Sequence, residues 1–147
     1  MNRKISLSQL FPLIREQLDS GGTAQFTIHG TSMLPLLKDG VDRVRLAKPD
    51  RPIRKYDIIF YCRDDGTFVL HRVIRVKKEG FVCRGDNQTE KEFPVFEYQV
   101  IAVVTHYTQN GEWQKADGFF QRLRAKIWVY SLIFRRIKRK FFKGKCK

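Results

Sequence analysis

The chain lacks any long apolar run. In its C-terminal part the longest stretch of mainly apolar residues, Ile127 to Phe134, has eight residues and includes Ser131, whereas a membrane span needs roughly 18 or more. A basic start, Met1 to Lys4, is followed by polar residues and Pro12 rather than by the apolar core of a signal peptide. We therefore expect a cytoplasmic protein, at most attached peripherally to the inner face of the membrane.

Cysteine is also scarce. Cys62, Cys83 and Cys146 are far apart, and no two of them form a C-x-x-C pair. This spacing favours neither a zinc site nor a disulfide framework, and free thiols fit a reducing compartment. We expect no metal and no cofactor.

Acidic residues are missing from the last part of the chain. All 15 lie at or before Asp117, while residues 119–147 contain 11 Lys and Arg. The first 118 residues hold 18 basic and 15 acidic side chains, a net charge of +3. The formal charge of +14 is therefore mainly a property of the tail.

The tail has the pattern of an amphipathic helix. Apolar residues recur at spacings of three and four, which places them in one stripe: Phe120, Leu123, Ile127, Tyr130, Phe134, Ile137 and Phe141, widened by Phe119, Trp128, Ile133 and Phe142. Basic side chains fill the other face, as in helices that lie in a membrane interface. The alternative is a helix docked on its own domain. No recognition motif accompanies the basic run, so we expect no nucleic-acid partner.

The rest of the chain predicts a mainly β fold. Short runs of strand-forming residues alternate with turn signals, which favours an antiparallel domain over residues 23–117. The predicted strands lie around Val44–Leu46, 58–61, 68–76, 81–84 and 100–104, with a wide loop over 85–96 and a hairpin turn at Asn110-Gly111. We expect residues 118–147 to form the basic amphipathic helix and tail.

Residues 1–22 predict a short N-terminal helix. Leu7, Leu10, Phe11, Ile14 and Leu18 share one face, and Ser6 with Gln9 is typical of a capping box. We expect this helix to pack on the edge of the domain; the alternative is a lid over a peptide groove.

A serine lies in a stiff turn at residues 30–35. Gly30 permits unusual backbone angles, and Pro35 keeps Leu34 out of the helical region. Ser32 could be presented there as a nucleophile, although turn serines are commonly structural. Downstream, His71 lies on a strand whose alternation groups it with Val69 and Val73. Such a histidine is either a general base or a buried core residue.

An aspartate follows this serine and histidine in the sequence. Asp86 lies in Gly85-Asp86-Asn87, where it either orients a histidine or builds a turn through its own backbone. Taken together, Ser32-Met33-x-Pro35, Lys55 to Phe60, His71-Arg72-Val73 and Gly85-Asp86-Asn87 resemble the four boxes of the S24/S26 peptidase superfamily, which holds the signal peptidases and the LexA-like self-cleaving proteins. The resemblance spans residues 24–104, with Tyr56 where the family usually has glycine.

The resemblance implies a coiled antiparallel β fold and a set of catalytic roles. Ser32 would be the nucleophile, His71 the general base and Asp86 the acid that orients the imidazole. Glu90 and Glu92 are rivals for the third role. His29 and His106 compete with His71.

It also implies an oxyanion site and a substrate groove. The Ser32 backbone N–H is the first candidate donor. Many signal peptidases carry a serine two residues before the nucleophile, where this chain has Gly30, so Thr31 is a candidate substitute. Met33 and Pro35 are candidate substrate-binding residues.

The implied function is a serine endopeptidase that cleaves a signal or leader peptide. A first alternative is a LexA-like self-cleaving protein, although no helix-turn-helix precedes the domain and histidine replaces the expected lysine. A second is a non-catalytic β domain that binds a membrane surface.

Overall fold

The strands of the chain form one antiparallel sheet, which one helix precedes and another follows in the sequence. The computed structural model describes the backbone of residues 6–143 and their side chains except at Ile133 and 138–143. The predictions made for residues 1–4, Ile133, Phe141, Phe142 and Cys146 lie outside the described residues. In chain order the elements are α1 (Leu7–Asp19), β1 (Ala24–Thr27), β2 (Arg43–Ala47), β3 (Ile58–Cys62), β4 (Phe68–Lys77), β5 (Gly80–Arg84), β6 (Glu92–Val95), a short 3-10 helix (Glu97–Gln99), β7 (Val100–Gln109), β8 (Glu112–Lys115) and α2 (Phe119–Lys143).

The sheet confirms the predicted mainly β fold. Its strand order is β1-β2-β7-β3-β4-β5-β6, and β8 pairs with β7 through the predicted Asn110-Gly111 turn. All described strand pairs are antiparallel. The long β7 contacts β2, β3 and β8, so it connects the two halves of the sheet.

Alternation along β4 separates its side chains between two apolar clusters. Val69 and Val73 belong to the cluster that includes Tyr61, whereas Leu70 packs against the other cluster, around Phe60. Strands β3 and β4 pair with His71 opposite Ile59. His71 thus lies on the Tyr61 side of the sheet, buried among apolar neighbours as the alternation predicts.

The predicted wide loop over 85–96 contains a strand that the sequence analysis missed. Residues of β6 pair with β5, Phe81 opposite Val95 and Cys83 opposite Glu92. The segment contains Pro94, and proline is disfavoured inside a sheet because it cannot donate to a ladder. At the end of the sheet, one side of β6 needs no donor, so proline is tolerated there.

Helix α1 packs through the predicted face. Ser6 and Gln9 form the capping box, Ile14 and Leu18 are buried, and the rings of Phe11 and Phe68 lie 4.4 Å apart. Its first residue, Leu7, reaches the cleft described below. The helix is therefore a packed element that also borders that cleft.

Helix α2 docks on the sheet but turns its apolar stripe outward. Ala125 and Leu132 are buried, and Arg122 donates to the Lys55 carbonyl at 2.8 Å. Trp128, which was predicted to widen the stripe, instead faces the sheet and donates its Nε1–H to the Asp86 carbonyl at 2.9 Å. Large side chains on the opposite face are exposed: Phe119, Phe120, Leu123, Ile127, Tyr130, Phe134 and Ile137. Within residues 6–143, neither helix has the length and apolar character needed to cross a bilayer.

Candidate active site

The turn after β1 contains Ser32, which is followed directly by a buried methionine. Met33 is buried, and its carbonyl accepts from the Leu37 N–H at 3.0 Å. Gly30 adopts φ +100°, which glycine tolerates best, and donates to Asp39 Oδ1 at 3.0 Å. These contacts fix both ends of the turn and leave Ser32 half-buried.

The segment 85–87 holds this turn in place. The Asn87 N–H donates to the Ser32 carbonyl at 2.8 Å, and Asn87 Nδ2 donates to the Thr31 carbonyl at 3.2 Å. A Cβ on Gly85 would lie 2.6 Å from the Ser32 carbonyl oxygen, so a side chain there would push the turn away. Residues 85–87 thus hold the Ser32 turn through the backbone and side-chain amides of Asn87 and the close approach of Gly85.

Ser32 and His71 line the same cleft. It has a volume of about 280 Å³ and lies beside α1, β1, β3 and β4. No hydrogen bond joins the Ser32 hydroxyl to the His71 ring within the described part of the chain. Catalytic hydrogen bonds in substrate-free enzymes are commonly long and tighten on binding. The fold therefore brings together two side chains 39 positions apart in the sequence.

His71 is held in its neutral form. The residue is 5% exposed, and burial, with the nearby Arg63 cation, lowers its pKa to about 4 in spite of Glu92 and Asp86. Its Nδ1 lies 3.4 Å from the Tyr61 hydroxyl. Tyr61 donates its one proton to Glu92, so we assign the donor role toward Tyr61 to His71 Nδ1–H. This tautomer leaves a lone pair on Nε2 that can accept the proton of a serine.

A carboxylate reaches His71 through Tyr61. Glu92, on β6, accepts from Tyr61 and from Arg63 Nε, the latter at 2.6 Å. Burial disfavours its charge, but the bonds from Arg63 and Tyr61 prevail and hold the pKa of Glu92 below its usual value. Burial and the same carboxylate raise the pKa of Tyr61, which stays protonated. Glu92 was one of the alternatives for the third role.

Asp86 has a different partner. Both of its carboxylate oxygens accept from Arg72, each at 2.8 Å, and both side chains are buried. Arg72 follows His71 on β4 and therefore faces the other side of the sheet. Asp86 makes no hydrogen bond to His71 in the described structure. The geometry makes its carboxylate the partner of a buried guanidinium.

The remaining predicted site residues are divided between the cleft and other places. Met33 lines the cleft, whereas Pro35 lines a separate small cavity beside Trp128. Among the described residues, the Ser32 N–H has no hydrogen-bond partner, so it is available to an oxyanion. The exposed Thr31 contributes its carbonyl to the turn, and its hydroxyl makes no hydrogen bond there. Glu90 is exposed and outside the cleft lining.

The two other histidines differ in position. His29 also lines the cleft, and its Nδ1 lies 3.5 Å from Asp39 Oδ1 at the surface. His106 lines another cavity and contacts the Thr105 hydroxyl at 3.1 Å. His29 thus stays a rival base by location, while His106 is separated from the Ser32 cleft.

Sequence reasoning missed Tyr61, Arg63 and Gln88, of which Arg63 and Gln88 line the cleft. One signal was present for Tyr61. A tyrosine inside a buried run such as Ile58 to Tyr61 must find a partner for its hydroxyl. Nothing in the sequence identified that partner, because Glu92 is brought there by the unpredicted β6.

Comparisons with known proteins add no assignment. No family model matches the chain, and no curated protein matches it.

His71 makes folding stability depend on pH. Because its pKa falls from 6.5 to about 4 on folding, the unfolded chain binds more protons between these values. Stability is therefore lost as pH falls from about 6.5 to 4, by up to about 3 kcal/mol. We expect His71→Gln to flatten this part of a denaturant-derived stability profile, with the exposed His29→Gln as control. Identical wild-type and His71→Gln slopes would contradict the buried neutral state.

The two carboxylates should differ sharply in their effect on stability. Asp86→Asn leaves the Arg72 charge buried without a counter-ion, and we expect a loss of about 3–5 kcal/mol in urea unfolding. Glu92 and Arg63 are partly exposed, so the matched change Glu92→Gln should cost clearly less. Equal losses for the two variants would argue against the separate roles assigned here.

Proposed function

We propose that this protein is a serine endopeptidase of the S24/S26 type, similar to signal peptidase I, that cleaves a signal or leader peptide. One observation carries the proposal: Ser32 and a buried, neutral His71 line the same cleft. A neutral imidazole is the form that can take the serine proton. The four sequence boxes supply the resemblance that selects this chemistry over other uses of serine and histidine.

The proposed steps follow from the positions of the side chains. His71 Nε2 takes the proton of the Ser32 hydroxyl as its oxygen attacks the peptide carbonyl. The imidazolium that forms is stabilised through Tyr61 by the Glu92 carboxylate. The Ser32 N–H meets the developing oxyanion, and His71 then returns the proton to the leaving amine as the C–N bond breaks. Water, deprotonated by His71, hydrolyses the acyl-Ser32 ester and restores the serine hydroxyl.

The cleft suits an extended peptide. Strand β1 lies at one end of the described sheet, and its residues Phe26 and Thr27 line the cleft beside Phe60 and Phe68. A substrate could therefore add to β1 as a further strand, its backbone bonded to the edge and alternate side chains directed into the apolar lining.

A membrane surface is the partner proposed for α2. Its exposed stripe and basic flanks combine apolar burial with attraction to anionic lipid. The protein would then lie at the inner face of the membrane without spanning it. The same surface also favours the second candidate, a membrane-binding β domain without catalytic activity. Cleavage assays with wild type and Ser32→Ala distinguish this domain from a peptidase.

Removing the nucleophile should abolish cleavage without unfolding the protein. We expect Ser32→Ala to reduce cleavage of a panel of signal and leader precursor peptides by at least about a thousand-fold. Ser20→Ala, at the distant end of α1, is the matched control. His71→Ala and His29→Ala, compared in parallel, separate the two candidate bases. Undiminished cleavage by Ser32→Ala would remove Ser32 from the mechanism, and no cleavage of any precursor by wild type would favour the non-catalytic domain.

Charges placed in the α2 stripe should release the protein from anionic vesicles. Ile127 and Phe134 are 61% and 71% exposed, so Ile127→Asp with Phe134→Asp should leave the fold intact. The loss of two apolar contacts, about 1.5 kcal/mol each, predicts at least about 100-fold weaker binding in co-sedimentation. Val41→Asp with Tyr98→Asp changes equally exposed residues elsewhere and serves as control. Equal binding by both double variants would rule out the stripe.

A further inference from the structure

A second, larger cavity lies between α2 and the sheet. It has a volume of about 620 Å³ and is bordered by β4, β5, β6 and α2. Its charged lining is entirely basic: Lys55, Arg75, Lys77, Arg84, Lys91 and Arg136. No acidic side chain is among the residues that line it. Ser32 and His71 are not part of it, so this cavity is distinct from the cleft.

One of these cations is buried and forms no ion pair with the described residues. Arg84 is 7% exposed, and its Nε has no hydrogen-bond partner among the described residues. It lies opposite Arg72 in the pairing of β4 with β5, but Arg72 takes both oxygens of Asp86. The one neighbouring carboxylate is thus bonded to Arg72 rather than to Arg84, and like charges opposite each other in a sheet destabilise it.

The electrostatics around Arg84 favour a bound anion. Burial lowers the pKa of its guanidinium, and Arg136 lowers it further, against the influence of Asp86. A buried charge without a partner is costly. An anion in the cavity would provide the missing acceptor and offset the mutual repulsion of the surrounding cations. Guanidinium groups match phosphate oxygens particularly well.

The rest of the lining is apolar. Ile74, Val82, Val129 and Leu132 contribute to the walls. Tyr130 belongs both to this lining and to the exposed stripe of α2. The cavity therefore opens beside the surface that we proposed to contact a bilayer, and it could accept a ligand that has both a charged and an apolar part.

We propose that this cavity is a binding site for a phosphate-bearing anion, held by Arg84 and its basic neighbours between α2 and the sheet. The apolar walls favour the headgroup of an anionic phospholipid as the source. This site goes beyond the peptidase proposal, because none of its residues takes part in the cleavage steps.

The test uses the full chain and two variants with the same loss of charge. Arg75→Gln with Lys91→Gln removes two exposed cations from the cavity and leaves buried Arg84 in place. Lys38→Gln with Arg54→Gln removes two exposed cations elsewhere. We expect calorimetry with pyrophosphate to show at least about ten-fold weaker binding for the cavity variant than for the control variant.

Vesicles distinguish a lipid from a soluble ligand. A greater loss of binding to phosphatidylglycerol vesicles by the cavity variant than by the control variant, with little binding of either to phosphatidylcholine, supports a lipid headgroup. A loss confined to pyrophosphate supports a soluble phosphate compound. If the cavity and control variants behave alike in both assays, the site is overturned, whether or not the peptidase proposal survives.

Discussion

The arrangement of the candidate active site depends on the buried ion pair between Arg72 and Asp86. Its two bonds of 2.8 Å, with a third from Arg72 to the Tyr56 carbonyl at 3.0 Å, satisfy charges that would otherwise be costly to bury. The carbonyl of Asp86 also accepts from Trp128 of α2. Since the next residue, Asn87, donates to the Ser32 carbonyl, the pair fixes the Ser32 turn relative to β4. In the described structure, a carboxylate that makes no hydrogen bond to His71 therefore still helps to position Ser32.

Adjacent residues of β4 serve opposite electrostatic purposes. On one side, Arg72 is charged and fully paired with Asp86. On the other, His71 is neutral because burial outweighs the attraction of Glu92, whose charge is balanced by Arg63. A proton arriving on His71 would, however, be stabilised through Tyr61 by the same Glu92. His71 is thus neutral at rest, and a counter-charge is in place if it gains a proton, as the proposed general base would.

The spacing of residues along the chain predicted the helices and strands. The bonding partners of the site side chains depend instead on how distant strands pair. The alternation of β4 and the helical spacing of α1 are read directly from the sequence. Ser32 and His71, which the ordered boxes predict to act together, both line one cleft, and their roles stay predictions. The partner of Asp86 could not be read in this way, because it depends on the register that brings Asp86 to Arg72. Glu92 lies on β6 and contacts Tyr61 from there. The sequence did not predict β6, because Pro94 favours a loop. For α2, the pattern defined two faces but not which of them docks on the sheet.

An amphipathic helix usually packs its apolar face on the domain, whereas α2 exposes its apolar stripe. Polar contacts help to attach α2, since Arg122 reaches Asp57 at 3.2 Å and Arg136 reaches the Thr89 carbonyl at 2.8 Å. Its apolar stripe is left in water, where exposed apolar surface is unfavourable unless something covers it. The basic cavity lies along the same helix and includes Arg75 of β4, four residues beyond His71. At about 3.3 Å per residue, a phosphate near Arg75 would lie on the order of 13 Å from the cleft along the strand. A bilayer that covered α2 would therefore bring its headgroups within reach of a short extended segment bound at Ser32.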